Sequence, residues 1–165
     1  MNILFEPESE QFVEVAKEYS ELWEREGRRI VATMNELTGL PEPKDFTVIV
    51  FEGISFSGDE TRPMRLRASY SSTVKLGTLI HELGHRYIIP IELQDEDFDV
   101  HRLLYLVLYD LWVDLYGTDF ADTMVRVESE RKGRNGYSYK SAWDDTLAMS
   151  RAERVANFNT IRTSH

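Results

Sequence analysis

The feature that most limits the fold is a helical pattern from about residue 8 to residue 38. Apolar side chains recur there at the three- and four-residue spacing that places them on one helix face: Phe12, Val15, Tyr19, Leu22, Trp23, Ile30, Met34 and Leu37. Gly39 suits the position after the last turn, and Pro41 and Pro43 prevent continuation. Gly27 marks a point where the helix could kink or divide. The chain is therefore predicted to begin with a long amphipathic helix.

Two short strands and several helices are predicted after this helix. Residues 46–51 are β-branched and aromatic, which is typical of a buried strand. Residues 64–70 alternate between apolar and polar side chains, which indicates a half-buried strand at a sheet edge. Helical patterns follow. Ser71 or Ser72 can cap the first of these helices, and the last two are expected at about 118–133 and 141–161. The order of elements predicts an α+β fold, and 165 residues fit a single domain spanning 1–165.

Composition excludes several classes of function. A net charge of −10 argues against binding to a phosphate backbone, so no nucleic-acid partner is expected. There is no cysteine, which excludes disulfides and thiolate metal sites. No apolar run approaches the roughly 20 residues that span a membrane, and residues 1–10 lack the apolar core of a signal peptide. We expect a cytoplasmic protein with no membrane partner.

Residues 81–85 read His-Glu-Leu-Gly-His, in the middle of a predicted helix that ends before Pro90. Positions four apart share one helix face, so His81 and His85 can both reach one zinc ion at about 2.0–2.1 Å. Glu82 lies about 100° further round, where its carboxylate can reach a water on the metal. Zinc lowers the pKa of such a water to about 7, and Glu82 would transfer its proton to the leaving amine. The motif therefore predicts metal-assisted hydrolysis with Zn²⁺ as cofactor.

The third ligand is predicted on the next helix, residues 103–117, which is apolar on nearly all sides and should be buried. It nevertheless contains Asp110 and Asp114 on one face. Buried carboxylates need partners, and a metal and a metal-bound histidine would supply them. We predict Asp110 as third ligand and Asp114 as acceptor of a hydrogen bond from a ligand histidine, although the two roles could be exchanged. His101 is the alternative third ligand. It lies about half a turn from Asp110, so both cannot face the metal from one straight helix.

With these residues assigned, residues 64–117 resemble a gluzincin, a member of the thermolysin-like group of zincin metallopeptidases. In that group a second helix carries Glu-x-x-x-Asp, an apolar pair and Gly, and residues 110–117 match this pattern with Asp110 in place of the glutamate. The resemblance implies a minimal zincin-like domain, peptidase activity, Asp110 as ligand and Asp114 as the residue that orients a histidine. Arg86 is a second departure, since zincins commonly have an uncharged residue there.

The resemblance also implies how a substrate would be held. The strand before the active-site helix, here about residues 65–70, would pair with an extended peptide. A second electrophile would stabilise the oxyanion beside the zinc, and four side chains are candidates: His101, Tyr105, Tyr137 and Tyr139.

We therefore expect a zinc metallopeptidase that acts on a peptide or protein substrate. The alternative is a catalytically inactive protein of the same fold that binds or regulates a partner protein, with a structural metal or none. A third interpretation is that the motif occurs by chance in a helical protein that binds no metal.

Overall fold

The computed structural model describes residues 1–91, 100–131, 133 and 137–164. In this part of the chain it contains six α-helices and one three-stranded sheet, so the predicted α+β class is confirmed. The chain forms two compact units: Met1–Asn35 with Leu40–Ile89, and Glu36–Gly39 with Pro90–His165. None of the helices described is both long and apolar enough to cross a membrane.

The sheet of the first unit is parallel throughout. Its strands are β1 (Ile3–Pro7), β2 (Phe46–Phe51) and β3 (Met64–Arg67), in the order β1-β2-β3. The inward side chains on the three strands are at most 8% exposed: Ile3, Phe5, Val48, Val50, Met64 and Leu66. Strand β3 lies at an edge as predicted, but it ends at Arg67 rather than at Tyr70. Strand β1 was missed: its side chains alternate between buried and exposed, but the sequence Ile-Leu-Phe does not, because the exposed residue is Leu4.

Helix α1 (Val13–Thr38) follows a short 3₁₀ turn at Glu10–Phe12 and runs unbroken past Gly27. A side chain at Gly27 would meet the Trp23 indole at 2.7 Å, so this glycine makes room for a ring and does not divide the helix. Tyr19 joins α1 to the sheet, because its ring stacks on Phe5 at 5.9 Å and its hydroxyl donates to the Arg67 carbonyl at 3.0 Å. Gly39 has a φ of +62°, as its predicted place after the helix requires.

Helix α2 (Ser72–Ile88) begins at the predicted cap, where the Ser71 side chain accepts a hydrogen bond from the Val74 amide. Leu79, Ile80 and Leu83 are fully buried. Tyr87 is 1% exposed and its hydroxyl donates to the Asn35 side chain on α1 at 2.9 Å. The middle of α2 is therefore held rigidly, which matters because the His-Glu-Leu-Gly-His motif lies there.

The second unit contains α3 (Val100–Tyr116), α4 (Thr118–Ser129), α5 (Tyr139–Leu147) and α6 (Arg151–Thr163), and α3 contacts each of the other three. The predicted final helix 141–161 is wrong, because it is two helices. Ser150 and Glu153 form a capping box that starts α6, a signal that sequence reasoning overlooked. Helix α4 also ends earlier than the predicted residue 133.

Candidate metal centre

The motif on α2 brings two imidazoles together. His81 is 2% exposed and His85 is half-buried. Their Nε2 atoms are 3.1 Å apart, and their rings meet edge to face with centroids 4.9 Å apart. Two nitrogen ligands at about 2.0–2.1 Å from a tetrahedral zinc ion would be about 3.3 Å apart. The two Nε2 atoms thus already have nearly the separation that a shared ion requires.

Glu82 lies next to His81 on the same helix and is 5% exposed. The motif predicts this carboxylate as the general base. The three residues His81, Glu82 and His85 therefore meet the local requirements of the motif.

In the described part of the chain, one group of side chains could hold a metal ion: His81, His85 and His101. Each offers one ring nitrogen, and these nitrogens lie within 4.8 Å of one another. Imidazole nitrogen suits zinc and also copper, iron and nickel. The three histidines could hold a metal ion, and their chemistry alone does not select which metal.

Asp110 has an arginine as the partner of its carboxylate, where the sequence predicted a metal. It is 4% exposed, and Arg154 donates to both of its oxygens, from Nη2 to Oδ1 at 2.7 Å and from Nε to Oδ2 at 3.0 Å. Arg154 is 6% exposed and also donates to the Met149 carbonyl at 2.6 Å. A bidentate arginine occupies one lone pair on each oxygen and neutralises the charge, so it competes with a metal for this carboxylate.

Asp114 has a similar partner at the surface. Arg151 donates to its two oxygens at 2.7 Å and 2.6 Å, and both side chains are partly exposed. The hydrogen bonds that Asp114 accepts, and after them its negative charge, raise the pKa of Arg151. Asp114 was predicted to accept a hydrogen bond from a ligand histidine. Arg151 competes with such a histidine for the Asp114 carboxylate. Neither pair has a local signal in the sequence, because the two arginines lie on α6 and the two aspartates on α3.

The four side chains proposed from sequence as oxyanion stabilisers form one cluster in the second unit. The His101 ring lies 5.9 Å from Tyr105, 5.6 Å from Tyr137 and 5.1 Å from Tyr139, measured between centroids. Tyr105 is fully buried, and burial raises the pKa of its hydroxyl far above the usual value. The structure therefore surrounds His101 with hydroxyl-bearing rings, which sequence reasoning named separately and did not connect.

The outer edge of β3, predicted to pair with an extended substrate, is engaged by the chain itself. The amide and carbonyl of Arg65 exchange hydrogen bonds with Phe56 at 2.9 Å and 3.0 Å, in antiparallel orientation. The Arg67 amide donates to the Ser55 hydroxyl at 3.0 Å. A peptide could add to this part of β3 only if residues 55 and 56 moved away.

Arg86, the charged residue directly after the motif, holds the segment that contains these residues. Its guanidinium donates to the carbonyls of Ser57, Asp59 and Arg62 at 2.7, 3.2 and 3.0 Å. It also lies 4.0 Å from the centre of the Phe46 ring. Burial lowers the pKa of Arg86, but three carbonyls and an aromatic face compensate for the lost solvent. Arg86, the charged residue that differs from the zincin pattern, therefore has a structural role.

The chain matches no protein-family model, no curated protein and no solved structure. The zincin-like fold and the resemblance to gluzincins stay predictions from the motif.

Proposed function

We propose that this protein is a zinc-dependent hydrolase in which His81, His85 and His101 bind the metal and Glu82 is the general base. The proposal takes His101, the alternative ligand, in place of Asp110, because Arg154 already binds both oxygens of Asp110. The observation that carries it is the proximity of three ring nitrogens, within 4.8 Å of one another, beside a buried glutamate.

Each residue of the proposed site would have its own role in hydrolysis. A bound zinc ion lowers the pKa of a water to about 7 and polarises a carbonyl oxygen. His81 and His85 must be neutral to bind the ion, and their positions on α2 place their Nε2 atoms 3.1 Å apart. Glu82 would accept a proton from the attacking water and donate it to the leaving amine. Its burial keeps the carboxylate out of bulk solvent.

Peptides are the substrate class that the motif suggests, through its resemblance to gluzincins. A second candidate is a metal-binding protein that does not hydrolyse peptides. It is favoured by the outer edge of β3, where Phe56 and Ser55 take the hydrogen bonds that an extended peptide would use.

A zinc titration by competition with a chromophoric chelator tests the metal site. We expect one tightly bound zinc per chain, and much weaker binding in His81→Ala, His85→Ala and His101→Ala. Asp110→Asn serves as the control and should bind zinc as the unaltered protein does. A protein without zinc affinity, or three histidine variants with unchanged affinity, would end the proposal. Weakened binding in Asp110→Asn alone would restore the aspartate as the ligand.

A peptide-library digest tests the reaction. Zinc-loaded protein should release new amino termini, chelation should stop this, and added zinc should restore it. A protein that binds zinc tightly but cleaves nothing at high enzyme concentration supports the second candidate.

A further inference from the structure

A ring cluster in the second unit holds His101. Its imidazole meets Tyr105 edge to face at 61° and Tyr139 at 89°, while Tyr137 is tilted at 33°. Tyr105 lies one turn after His101 on α3, and Tyr137 and Tyr139 come from the start of α5 and the residues before it. An imidazole bounded by three rings can rotate little. The directions of its two nitrogens therefore depend on where those rings are held.

The ring of Tyr105 in turn packs against the indole of Trp143, on α5. The two rings stack with centroids 3.7 Å apart and planes 13° apart, and Trp143 is 1% exposed. Trp112 of α3 also packs near the indole, with ring centroids 5.7 Å apart and planes tilted by 31°. Because such aromatic contacts favour particular offsets and angles, a change in the Trp143 plane would be passed to Tyr105 and then to His101.

Glu128 of α4 fixes the orientation of the Trp143 indole. It is fully buried, and its Oε2 accepts a hydrogen bond from Trp143 Nε1 at 3.1 Å. After burial, the charge of Glu128 is the next cause that raises the pKa of the Tyr105 hydroxyl, so the carboxylate lies close to both stacked rings. A carboxylate in such a place is costly to bury, and the hydrogen bond that it accepts fixes the direction of the indole N–H. The cost suggests a role beyond packing.

We propose that Glu128 is a positioning residue for the metal centre: by fixing Trp143, and through it Tyr105, it orients the His101 imidazole as third ligand. The inference rests on the proposed function, because it takes His101 as a ligand. Outer partners that orient ligand histidines usually act through a direct hydrogen bond. Here the orientation passes through two stacked rings.

The first test measures metal affinity with cobalt(II), whose visible absorption reports its coordination. Glu128→Ala should weaken cobalt binding by about 10- to 100-fold, the range found for groups that support ligands. Glu128→Gln should restore most of it, because its amide oxygen can still accept from Trp143. In a His101→Ala background, Glu128→Ala should cause no further loss. An equal loss in that background, or a Gln variant as weak as the Ala variant, would overturn the proposal.

The control is Thr146→Ala, which removes another buried polar group of α5, the hydroxyl that bonds the Ala142 carbonyl at 2.9 Å. It should lower stability and leave cobalt affinity unchanged. If Glu128→Ala does not fold, Trp143→Phe keeps the ring and removes the N–H, and it should weaken binding in the same way. Unchanged affinity in folded Glu128→Ala or Trp143→Phe contradicts the positioning role.

The second test needs no metal and so separates this inference from the proposed function. The carbon-bound ring protons of His101 should show strong ring-current shifts from the surrounding tyrosines in the metal-free protein. Glu128→Ala should move these resonances towards their positions in a flexible peptide, and Glu128→Gln should not. Resonances that stay in place in Glu128→Ala overturn the inference, whether or not the unaltered protein binds metal.

Discussion

Glu82 and Asp110 are buried almost equally, at 5% and 4% exposure, yet their surroundings differ. In the sequence, Glu82 lies between His81 and His85, whose Nε2 atoms are 3.1 Å apart on α2. Asp110 on α3 is bound by Arg154, which is 44 residues away in sequence. Each carboxylate signals that a partner exists. The difference teaches that burial alone does not identify the partner of a carboxylate.

The strongest way to break this comparison is to neutralise each acid in turn. Glu82→Gln should keep zinc and lower kcat/KM for a cleaved peptide by about 10²- to 10⁴-fold, because it removes the general base. Asp110→Asn should lower stability and leave turnover of the folded protein unchanged. The measurements are zinc content and steady-state rates at equal folded concentration. Full activity in Glu82→Gln would remove this residue from the mechanism.

Removing Arg154 tests the buried pair. Arg154→Ala leaves the Asp110 carboxylate buried without its arginine, which should cost about 3–5 kcal/mol in the free energy of unfolding. Urea denaturation measures this. Arg151→Ala is the matched control, because its pair with Asp114 is partly exposed and should contribute at most about 1 kcal/mol. Equal losses would show that burial does not distinguish the two pairs.

Replacing both members of the pair sharpens the result. Asp110→Leu with Arg154→Met exchanges the ions for apolar groups, and the double variant should be within about 2 kcal/mol of the original stability, since such exchanges are often neutral. Its zinc affinity should be unchanged. If the double variant is stable but has lost zinc, Asp110 is a ligand and the assignment of His101 is wrong.

The smallest effect is expected at the start of α6, which determines where Arg151 and Arg154 lie. Ser150→Ala removes the side chain that accepts from the Glu153 amide and should cost about 1 kcal/mol. Thr160→Ala, in the exposed interior of the same helix, is the control and should stay within about 0.5 kcal/mol. A thermal melt of each variant checks both values. No loss in Ser150→Ala would mean that packing alone starts the helix.

Local patterns predicted much of the fold. The period of α1, the cap at Ser71 and the strand at residues 46–51 depend on neighbours within a few residues, and all were recognised. The break between α5 and α6 was local too, but its capping box was overlooked. Strand β1 was missed because five residues near a terminus form a strand only when β2 pairs with them.

The candidate site divides in the same way. His81, Glu82 and His85 follow from one helical turn, so their mutual arrangement could be predicted. The partner of Asp110 could not be predicted from α3, because Arg154 belongs to another helix and several cations in the chain were equally possible. The cluster around His101 depends on Tyr137 and Tyr139, which are brought to it by the packing of α5 on α3. Long-range contacts of this kind leave no spacing signal.

The parallel sheet has a consequence for the order of folding. No strand can pair with the next through a tight hairpin, since β1 and β2 are separated by the whole of α1. Ile3 must find Phe46 across a large loop, and such closure is entropically costly and slow. We therefore expect α1 to form early from local contacts and the three strands to assemble late. Refolding followed by amide-exchange labelling should accordingly protect the amides of α1 before those of β2.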